Sequence, residues 1–590
     1  MVHPLWRACA GVLLGALAIT GVHSEEAMGG SAGADGAFRA LADDYFDNYY
    51  LPTNPSSATA LGVHRYDDQF EDLSHAALLR EIATLKAYAA QVAAVDPGAL
   101  SEPVRADRAL LLANIQSELL TDEQIRPLEK NPDVYSSSIT ASAYVLAQRD
   151  FAPLNDRLRA LIGREKQMPA ALQYARQNLR NPPHIFTSIA LEQLPGDVGF
   201  FEHDLPLAFA KADDAGLQQQ FAATNGAVVA ALRDYQRWLE QLLRRSHGDF
   251  RLGAKVFAEK LRYDEMVDTP LPQLLAIGLA DLHRNQQEFA RVAKQLEPDK
   301  TARQVLAELA LDHPPPAELL PAFKATFSGL VSYIDAHHIV TVPASPLPIL
   351  RETPAFMRAT TFASMDTPGP FETNATEAYF NVTPTEPDWN AERVAGFMAQ
   401  FNYPVISNVT VHEAFPGHYV QFLWFKQLHD RVRQIIYANT NVEGWAHYCE
   451  QMMLDEGFGQ TGSSAAEQRA AERLRLGQLQ DALLRDARYI VSIQMHTGKM
   501  SIDQAVQYFV REGYQSKEVG LVETQRGTGD PTYLYYTLGK LQIMKLRADL
   551  KAREGEAFSL QNFHDRFLQQ GGVPVKLVRR ALLQDDSPTL

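Results

Sequence analysis

Two histidines and a glutamate within residues 411–422, Val-His-Glu-Ala-Phe-Pro-Gly-His-Tyr-Val-Gln-Phe, could bind a metal ion. His412 and Glu413 match the first half of the H-E-x-x-H zinc-hydrolase pattern, in which two histidines four residues apart share one helix face. The second histidine here is His418, six residues after the first. Residues six apart lie about 120° apart around a regular helix, so an unbroken helix would separate the two imidazoles.

Pro416 and Gly417 stand between the two histidines and predict an interruption of the helix. Pro416 has no N–H to donate to the carbonyl of His412, and Gly417 tolerates almost any backbone conformation. A two-residue bulge at this point would return His418 to the place that the second histidine holds in the unbroken pattern. If the helix runs straight through Pro416, His418 faces away and the prediction of a zinc site fails.

A hydrolytic zinc site has three protein ligands and leaves one position for water, whose pKa the ion lowers toward about 7. Glu443 is the predicted third ligand, because an antiparallel helix–turn–helix of the 25 residues after His418 would return it to the histidines. Glu413 is the predicted general base. His447 and Glu450 share a helix face with Glu443, so either could instead be the ligand or could orient one.

A zinc protease also needs a hydrogen-bond donor for the oxyanion of its tetrahedral intermediate. The run 533–540 follows a glycine-rich loop and is predicted to open a helix, which would direct a tyrosine hydroxyl into a cleft. Tyr536 is the predicted donor, since leucines already supply an apolar stripe on that helix; the alternative is a tyrosine that packs in the core. Lys540 shares its face, and Lys540 and Arg526 are predicted substrate contacts. Arg526 and His496 are further candidate donors, and His496 is a predicted catalytic residue.

The elements that must position these residues are mostly helices. From residue 37 onward apolar residues recur at three- and four-residue spacing, which predicts an N-terminal half of stacked helices, and the pattern is helical again after residue 404. Between these regions, three segments cluster β-forming residues between prolines and glycines and predict a small sheet directly before the His412 helix. The segments are 338–343, 359–363 and 377–383.

The predicted sheet has two possible uses. An edge strand beside a metal could pair with the backbone of an extended substrate, and Tyr379 is a candidate substrate contact on such a strand. The alternative is a structural hairpin that covers the metal-site helix.

The predicted fold is mainly α, a multi-helix protein with two lobes, a cleft and a small β-sheet next to the metal-site helix. A chain of 590 residues is too long for a single compact core. The predicted segments are a signal peptide at 1–24, a flexible leader rich in Gly, Ala and Ser at 25–36, an N-terminal helical lobe at 37–337, and a metal-site lobe with the sheet and the C-terminal helices at 338–590.

The N-terminus predicts export. Arg7 precedes an apolar run of about 15 residues, shorter than the about 20 that span a bilayer, and a small residue precedes Glu25 as signal peptidase requires. We expect a periplasmic or extracellular bacterial protein with no stable membrane insertion after cleavage; an uncleaved anchor is the alternative. Cleavage would leave Cys449 as the single cysteine, which excludes an intrachain disulfide.

The charge of the chain argues against several partners. Its net charge is −16 and it contains no basic run, which makes it a poor candidate for binding nucleic acid or an anionic membrane. A peptide substrate is the predicted partner. The sequence makes no prediction of an oligomeric state.

Three motifs resemble the bacterial "domain of unknown function 885" family. They are His-Glu-Ala-Phe-Pro-Gly-His at 412–418, Glu-Gly-Trp-Ala-x-Tyr-x-Glu at 443–450, and Asp-Pro-Thr-Tyr-x-x-Tyr-Thr-Leu-Gly-Lys at 530–540. The similarity extends from the segment 55–64 to residues 546–547, nearly the whole exported chain. That family is in turn similar to the gluzincin metallopeptidases, helical proteins with a deep central channel and a His-His-Glu zinc site.

The resemblance implies one Zn²⁺ per chain. By position, its ligands would be His412, His418 and Glu443, with Glu413 as the base. The two-residue insertion between the histidines departs from the usual peptidase motif, so the ligand geometry is the point on which the implied activity depends.

The resemblance also implies an oxyanion tyrosine from the C-terminal helices, which corresponds to Tyr536, and a role for His496. We therefore expect an exported zinc-dependent hydrolase, a peptidase that acts on short peptides in a confined cleft. A non-catalytic peptide-binding or chaperone-like scaffold that retains a metal-site shell is the alternative. A di-iron helix bundle is a third interpretation, but its usual Glu-x-x-His pairs are not evident. Its ligands would be Glu413, Glu443, His447 and Glu450.

Overall fold

The structure is a computed structural model that describes residues 25–590, except 355–356 and 359–360. The predicted signal peptide, 1–24, lies outside the described residues. None of the described helices combines the length and the apolar content that a membrane crossing requires. Cys449 is buried and free.

The part of the chain before the sheet is helical, as its periodicity predicts. Its α-helices are α1 (Glu25–Tyr45), α2 (Leu51–Thr53), α3 (Pro55–Ala60), α4 (His75–Ala94), α5 (Glu102–Leu120), α6 (Pro127–Lys130), α7 (Asp133–Ala147), α8 (Leu154–Glu165), α9 (Met168–Asn178), α10 (His184–Gly199), α11 (Leu205–Ala208), α12 (Ala215–Leu243), α13 (Gly253–Glu265), α14 (Leu271–Leu296), α15 (Ala302–Leu309) and α16 (Leu319–Ala336). Short π-helical segments continue α1, α5 and α10.

The part after the sheet is also helical. Its α-helices are α17 (Ala391–Met398), α18 (Tyr403–Glu413), α19 (His418–Phe425), α20 (Arg431–Ile435), α21 (Asn439–Asp455), α22 (Ala465–His496), α23 (Ile502–Arg511), α24 (Lys517–Gly529), α25 (Tyr535–Glu554), α26 (Leu560–Leu568) and α27 (Val575–Leu583). The prediction of a mainly α fold with a small sheet is confirmed.

The sheet has three strands in the order β1-β3-β2. They are β1 (Ile349–Glu352), β2 (Ala363–Asp366) and β3 (Tyr379–Val382). β1 runs parallel to β3 and β2 runs antiparallel to it, so that Arg351 and Ser364 both face Asn381 in the register. Because β2 packs against α18, the sheet lies beside the metal-site helix as predicted.

The prediction of a strand at 338–343 is wrong. Ile339 and Val340 are buried there, but side chains of a helix bind the backbone instead of a neighbouring strand. Nδ1 of His564 lies 2.6 Å from the carbonyl oxygen of Ile339, and Asp565 accepts a hydrogen bond from the N–H of Thr341 at 2.9 Å. The β-forming residues of this segment are therefore buried in the core without being part of the sheet.

The expectation of a flexible leader at 25–36 is corrected, because this segment is helical and forms the first part of α1. Asp35 is buried, and its carboxylate accepts hydrogen bonds from the backbone N–H of Ser101 at 3.0 Å and from its hydroxyl at 2.6 Å. Ser101 directly precedes α5. A tertiary contact thus orders a segment whose composition is that of a linker.

Amphipathic spacing explains how α14 supports the metal-site helices. Its buried residues recur every three or four positions from Leu274 through Leu282 and Phe289 to Leu296, as one buried helix face requires. That face packs against α22, and α22 also packs against α18 and α25. α22, which is 32 residues long, thus connects α14 to α18, the helix that carries His412.

The buried apolar clusters cross the predicted boundary between the segments 37–337 and 338–590. The largest cluster joins residues of α1, α4 and α5 to residues of α18, α19, α21 and α25–α27. A second cluster lies within α7–α12 for most of its residues, and a third joins α14 and α15 to α22. The helices of the N-terminal half thus pack directly against the helices that carry the candidate site.

Candidate metal centre

The helix that begins at Tyr403 is interrupted between the two histidines, as Pro416 and Gly417 predict. α18 ends at Glu413 and a new helix, α19, begins at His418. In the interruption, the N–H of Phe415 donates to the carbonyl of Thr410, five residues back, and the N–H of Gly417 donates to that of Val411, six residues back. These hydrogen bonds span five and six residues instead of the four of an α-helix, and so they accommodate the two extra residues of the motif.

Gly417 is required at its position because two backbone carbonyls approach it closely. A Cβ atom there would lie 1.8 Å from the carbonyl oxygen of His412 and 2.4 Å from that of Val411, well inside contact distance. A residue with a side chain would push α19 away from α18. The glycine therefore sets the distance between the two histidines.

α21 brings Glu443 to the histidines and is tied to the interruption by a hydrogen bond. The indole N–H of Trp445 donates to the carbonyl oxygen of Pro416 at 3.0 Å, and Trp445 is completely buried. Because Trp445 lies two residues after Glu443, this contact fixes α21 along its axis relative to the Pro416–Gly417 turn. Gln421 on α19 adds a second link, since its Nε2 donates to Asn441 at 3.0 Å.

Three possible ligand atoms lie close together. Oε2 of Glu443 lies 3.4 Å from Nε2 of His412 and 3.4 Å from Nε2 of His418, and the ligand atoms of all three residues lie within 4.8 Å of one another. Ligand atoms bonded at about 2.1 Å to a tetrahedral ion are about 3.4 Å apart. The Glu443 carboxylate thus has the spacing from both imidazoles that a shared tetrahedral metal requires.

The surroundings of these atoms also fit a metal ion. Oε2 of Glu443 is buried, and its partners among the described residues are the two imidazole nitrogens 3.4 Å away. A buried carboxylate oxygen is costly unless such partners or a metal ion compensate it. The donor set of two imidazole nitrogens and one carboxylate oxygen is the one that catalytic zinc takes in several hydrolases. The side chain of Glu443 is 24% exposed, which leaves the cluster open to solvent on one side.

Glu450 lies behind His412 and orients it. Oε1 of Glu450 lies 2.7 Å from Nδ1 of His412, and its Oε2 lies 3.2 Å from Nδ1 of His447. A hydrogen bond from Nδ1 to a carboxylate turns the lone pair of Nε2 toward the other ligands. Of the two alternatives for Glu450, the geometry places it as the partner that orients a ligand and not as a ligand.

Charged neighbours compensate for the burial of Glu450. Burial by itself would raise the pKa of this carboxyl, but the charge of Arg485 and hydrogen bonds with His412 and His447 hold its pKa well below the usual range. Nη2 of Arg485 lies 3.2 Å from Oε1 of Glu450, and Asn408 donates to Oε2 at 3.0 Å. Glu450 is therefore an ionised, fully hydrogen-bonded anchor.

Neighbouring carboxylates stabilise the protonated form of His412. Burial by itself lowers the pKa of His412, but hydrogen bonds with Glu443 and Glu450 outweigh it and raise this pKa to about 9. Burial acts on Glu443 in the opposite sense, yet the charges and hydrogen bonds of the two histidines hold its pKa well below the usual range. Glu443 is thus held as a carboxylate between the two imidazoles.

The chain matches, over residues 55–582, the family described as "Bacterial protein of unknown function (DUF885)". The chain belongs to this family. Two solved structures are similar to this DUF885 protein, and no functionally curated protein is significantly similar to it in sequence.

Both solved structures cover nearly the whole of this DUF885 protein. A "putative lipoprotein of unknown function" from Shewanella oneidensis is 25% identical, with a TM-score of 0.76 over 93% of this chain and 99% of its own. A "putative lipoprotein" from Colwellia psychrerythraea is 18% identical, with a TM-score of 0.71 over 94% of this chain and 99% of its own, and shares the fold.

Tyr536 lies beside the candidate metal centre of this DUF885 protein. Its ring is inclined by 30° to that of His412, with centroids 6.4 Å apart, and its hydroxyl accepts a hydrogen bond from Nη2 of Arg526 at 3.1 Å. The close crossing of α21 and α25 produces this proximity, because a Cβ on Gly444 would lie 2.6 Å from Cα of Gly539. The structure thus brings Tyr536 and Arg526 to the predicted site.

Glu413, the predicted general base, occupies the last position of α18. It is half-buried, and no hydrogen bond of its side chain is found among the described residues. Its position in the chain is directly after His412, at the start of the interruption between the two histidines.

Lys540 and His496 are not brought to the site, which corrects their prediction as a substrate contact and a catalytic residue. Lys540 is completely buried, with Nζ 3.0 Å from Oδ2 of Asp281 on α14. His496 is also completely buried, and its Nε2 lies 2.7 Å from the carbonyl oxygen of Gly527. Burial lowers the pKa of His496 to about 4, so this ring is a neutral part of the core.

Tyr379 lies on the central strand β3 and not on an edge strand, so it cannot offer its backbone to a substrate. Its ring is covered by the guanidinium of Arg351, 3.8 Å from the ring centroid, and that of Arg149 lies at 5.4 Å. The structure places Tyr379 in a packed polar layer of the sheet. β2, an edge strand beside α18, has the position that was expected for Tyr379.

Sequence reasoning missed Arg485 and the anchoring role of Trp445. Arg485 lies on α22, outside the three motifs, and reaches Glu450 only because α22 packs on α18. Trp445 does stand inside the motif at 443–450, so the signal for a role was present. Its hydrogen bond to Pro416 requires the tertiary fold.

Proposed function

We propose that this protein is a zinc-dependent hydrolase, a peptidase that acts on short peptides and holds one Zn²⁺ per chain. The proposed ligands are His412, His418 and Glu443. The observation that carries the proposal is the position of Oε2 of Glu443, 3.4 Å from Nε2 of each histidine and without another partner among the described residues. A distant relationship to the gluzincin peptidases is part of this proposal.

The residues around the centre supply the other parts of the reaction. When bound, zinc would acidify water and polarise the substrate carbonyl. Glu413 takes a proton from the attacking water and transfers it to the departing amine. Burial raises the pKa of Tyr536, so its hydroxyl keeps the proton that it donates to the oxyanion. Glu450 holds His412 in the tautomer that presents Nε2.

The sheet offers a place for the substrate backbone. β2 pairs with β3 on one side, is an edge of the sheet, and packs against α18. An extended peptide that adds to this edge would run past the metal centre, and such pairing reads backbone geometry without selecting one sequence.

Export to the bacterial envelope is part of the proposal. It is supported by the apolar run before Glu25 and by the descriptions of the two similar structures as lipoproteins. The acidic net charge suits a protein that binds neither nucleic acid nor anionic lipid.

A peptide-library digest of the zinc-loaded protein, with and without a chelator, tests the proposal. We expect cleavage that the chelator stops and that added zinc restores. Glu413→Gln should abolish turnover with about one zinc still bound, whereas Glu392→Gln, an exposed carboxylate on α17, is the control for the substitution itself. Turnover is measured by mass spectrometry and zinc by elemental analysis.

Three outcomes would redirect the proposal. No chelator-sensitive cleavage with zinc would favour the non-catalytic scaffold. Loss of zinc together with activity in Glu413→Gln would make Glu413 a ligand. Two irons per chain in the purified protein would favour the di-iron alternative.

A further inference from the structure

Three arginines surround the ring of Tyr536 next to the metal centre. The guanidinium carbons of Arg485, Arg488 and Arg526 lie 5.7, 4.9 and 5.7 Å from its centroid. One donor is enough to bind the Tyr536 hydroxyl, so three cations around this ring are more than that role requires. The three arginines differ in whether a carboxylate of the protein pairs with them.

Arg485 and Arg488 are occupied within the protein. Arg488 makes a two-pronged ion pair with Glu523, with Nε and Nη2 at 2.6 and 2.7 Å from the two carboxylate oxygens. Arg485 binds Glu450 at 3.2 Å. The side chain of Arg488 is only 9% exposed and that of Arg485 only 10%, so both are structural cations.

Arg526 is more exposed and has donors to spare. Its side chain is 28% exposed, and its hydrogen bonds to Asp530, Tyr535 and Tyr536 all use the single nitrogen Nη2, at 3.1 to 3.3 Å. Asp530 also accepts the hydroxyl of Tyr535 at 2.8 Å, which divides its charge between two donors. No partner of Nε or Nη1 is found for Arg526 among the described residues. A guanidinium presents five N–H donors.

The distance from Arg526 to the metal centre matches a few peptide residues. Its guanidinium carbon lies 5.7 Å from the Tyr536 centroid, which lies 6.4 Å from the centroid of His412, so the guanidinium is at most about 12 Å from that ring. An extended peptide covers about 3.4 Å per residue. At most about three residues therefore fit between a carbonyl at the metal centre and Arg526.

We propose that Arg526 binds the terminal carboxylate of the substrate, so that the peptidase removes one to three residues from the C-terminus of a peptide. This inference rests on the proposed function and names its substrate class. Arginine is suited to a carboxylate because two parallel N–H groups match two oxygens. Water is consumed, the C–N bond breaks, and the proton that Glu413 takes from water goes to the amine of the released fragment.

Binding to the Glu413→Gln variant tests the inference without turnover. The probes are an N-acetylated hexapeptide as the free acid and the same peptide as its C-terminal amide, titrated by calorimetry into zinc-loaded protein. We expect the acid to bind about 10- to 100-fold more tightly, the range of a charge-assisted hydrogen bond. Adding Arg526→Gln should abolish this preference, and Arg526→Lys should keep part of it.

Arg566→Gln is the matched control, because Arg566 is 33% exposed, pairs with Glu554 at 2.7 Å and lies on α26. It should leave the preference for the acid unchanged. Binding of the amide peptide by the Arg526 variants, together with their thermal melting, shows that they are folded.

Equal weakening of acid and amide in Arg526→Gln would overturn the inference, because Arg526 would then only position Tyr536. An amide peptide with a terminal Asp that binds as tightly as the free acid would also overturn it, since the site would then read a side chain. Wild-type protein should trim the free acid from its C-terminus and spare the amide. Acid-selective binding without cleavage would contradict the proposed function but would still support the carboxylate site.

Discussion

Oε1 of Glu450 lies 2.7 Å from Nδ1 of His412, while Nε2 of the same imidazole faces Glu443 at 3.4 Å. The ring thus spans two carboxylates, one buried behind it and one partly open to solvent. Because the buried carboxylate accepts a hydrogen bond from Nδ1–H, the nitrogen that faces Glu443 is the one available to a metal. Glu450 thus determines that Nε2 is the nitrogen of His412 that can bind a metal.

Glu450→Gln should weaken zinc binding by about 10- to 100-fold, because it removes the charge that orients His412 and leaves Arg485 without its carboxylate. The measurement is a zinc competition against a chromophoric chelator. Glu456→Gln is the matched control, since it breaks an ion pair with Arg547 at the end of α21, away from the centre. Unchanged zinc affinity in Glu450→Gln would contradict the orienting role.

Gly417→Ala should abolish zinc binding and destabilise the protein by about 2 kcal/mol or more, because its Cβ would lie 1.8 Å from the carbonyl oxygen of His412. Urea unfolding and elemental analysis measure the two effects. Gly396→Ala on α17 is the control, as its Cβ meets nothing within 4 Å and should gain up to about 1 kcal/mol. A stable, zinc-loaded Gly417→Ala protein would refute the close approach.

Tyr536→Phe should lower kcat by about 10²- to 10³-fold with little change in KM or zinc content, because the hydroxyl acts on the oxyanion and not on the ground state. Steady-state kinetics on a peptide found in the digest provide the measurement. Tyr333→Phe, which removes a hydroxyl bonded to the carbonyl of Glu456, should leave kcat unchanged. A rise in KM alone would assign Tyr536 to substrate binding.

Glu165→Gln should remove a pH dependence of stability. Burial raises the pKa of Glu165 from 4.5 to about 8, so between these values the folded protein binds a proton that the unfolded chain has released. Stability of the wild type therefore falls as the pH rises through this window, by about 3 to 5 kcal/mol relative to the variant.

Urea unfolding at pH 5, 6, 7 and 8 measures this difference for Glu165→Gln. Glu240→Gln, on the exposed side of α12, controls for replacing a carboxylate by an amide. Parallel stability profiles of wild type and Glu165→Gln would show that the buried carboxyl is not the source.

Local pattern was sufficient for most helices and for the interruption at Pro416. Apolar spacing along α14 depends only on neighbours in the chain, and the loss of a backbone donor at proline is a property of that residue alone. The same local rules failed at 338–343, where α26 supplies the hydrogen bonds that a strand would have supplied.

The arrangement of helix faces explains why the predicted contact of Lys540 was misplaced. Lys540 follows Tyr536 by one turn on α25, so the sequence puts both on one side of the helix. In the structure α14 lies against that end of the helix and Asp281 pairs with Lys540 inside the protein. A periodic pattern shows which residues share a face, but the partner of that face comes from another part of the chain.

The sequence by itself determined the residue types of the candidate centre, the break between His412 and His418, and the helix that carries Glu443. Only the tertiary structure decided that Oε2 of Glu443 stands 3.4 Å from both imidazoles, that Arg485 and Glu450 lie behind them, and that Arg526 is open to solvent. The physical reason is that motif chemistry and local backbone preference are properties of neighbouring residues, whereas distance, burial and charge compensation arise from the packing of helices distant in the chain.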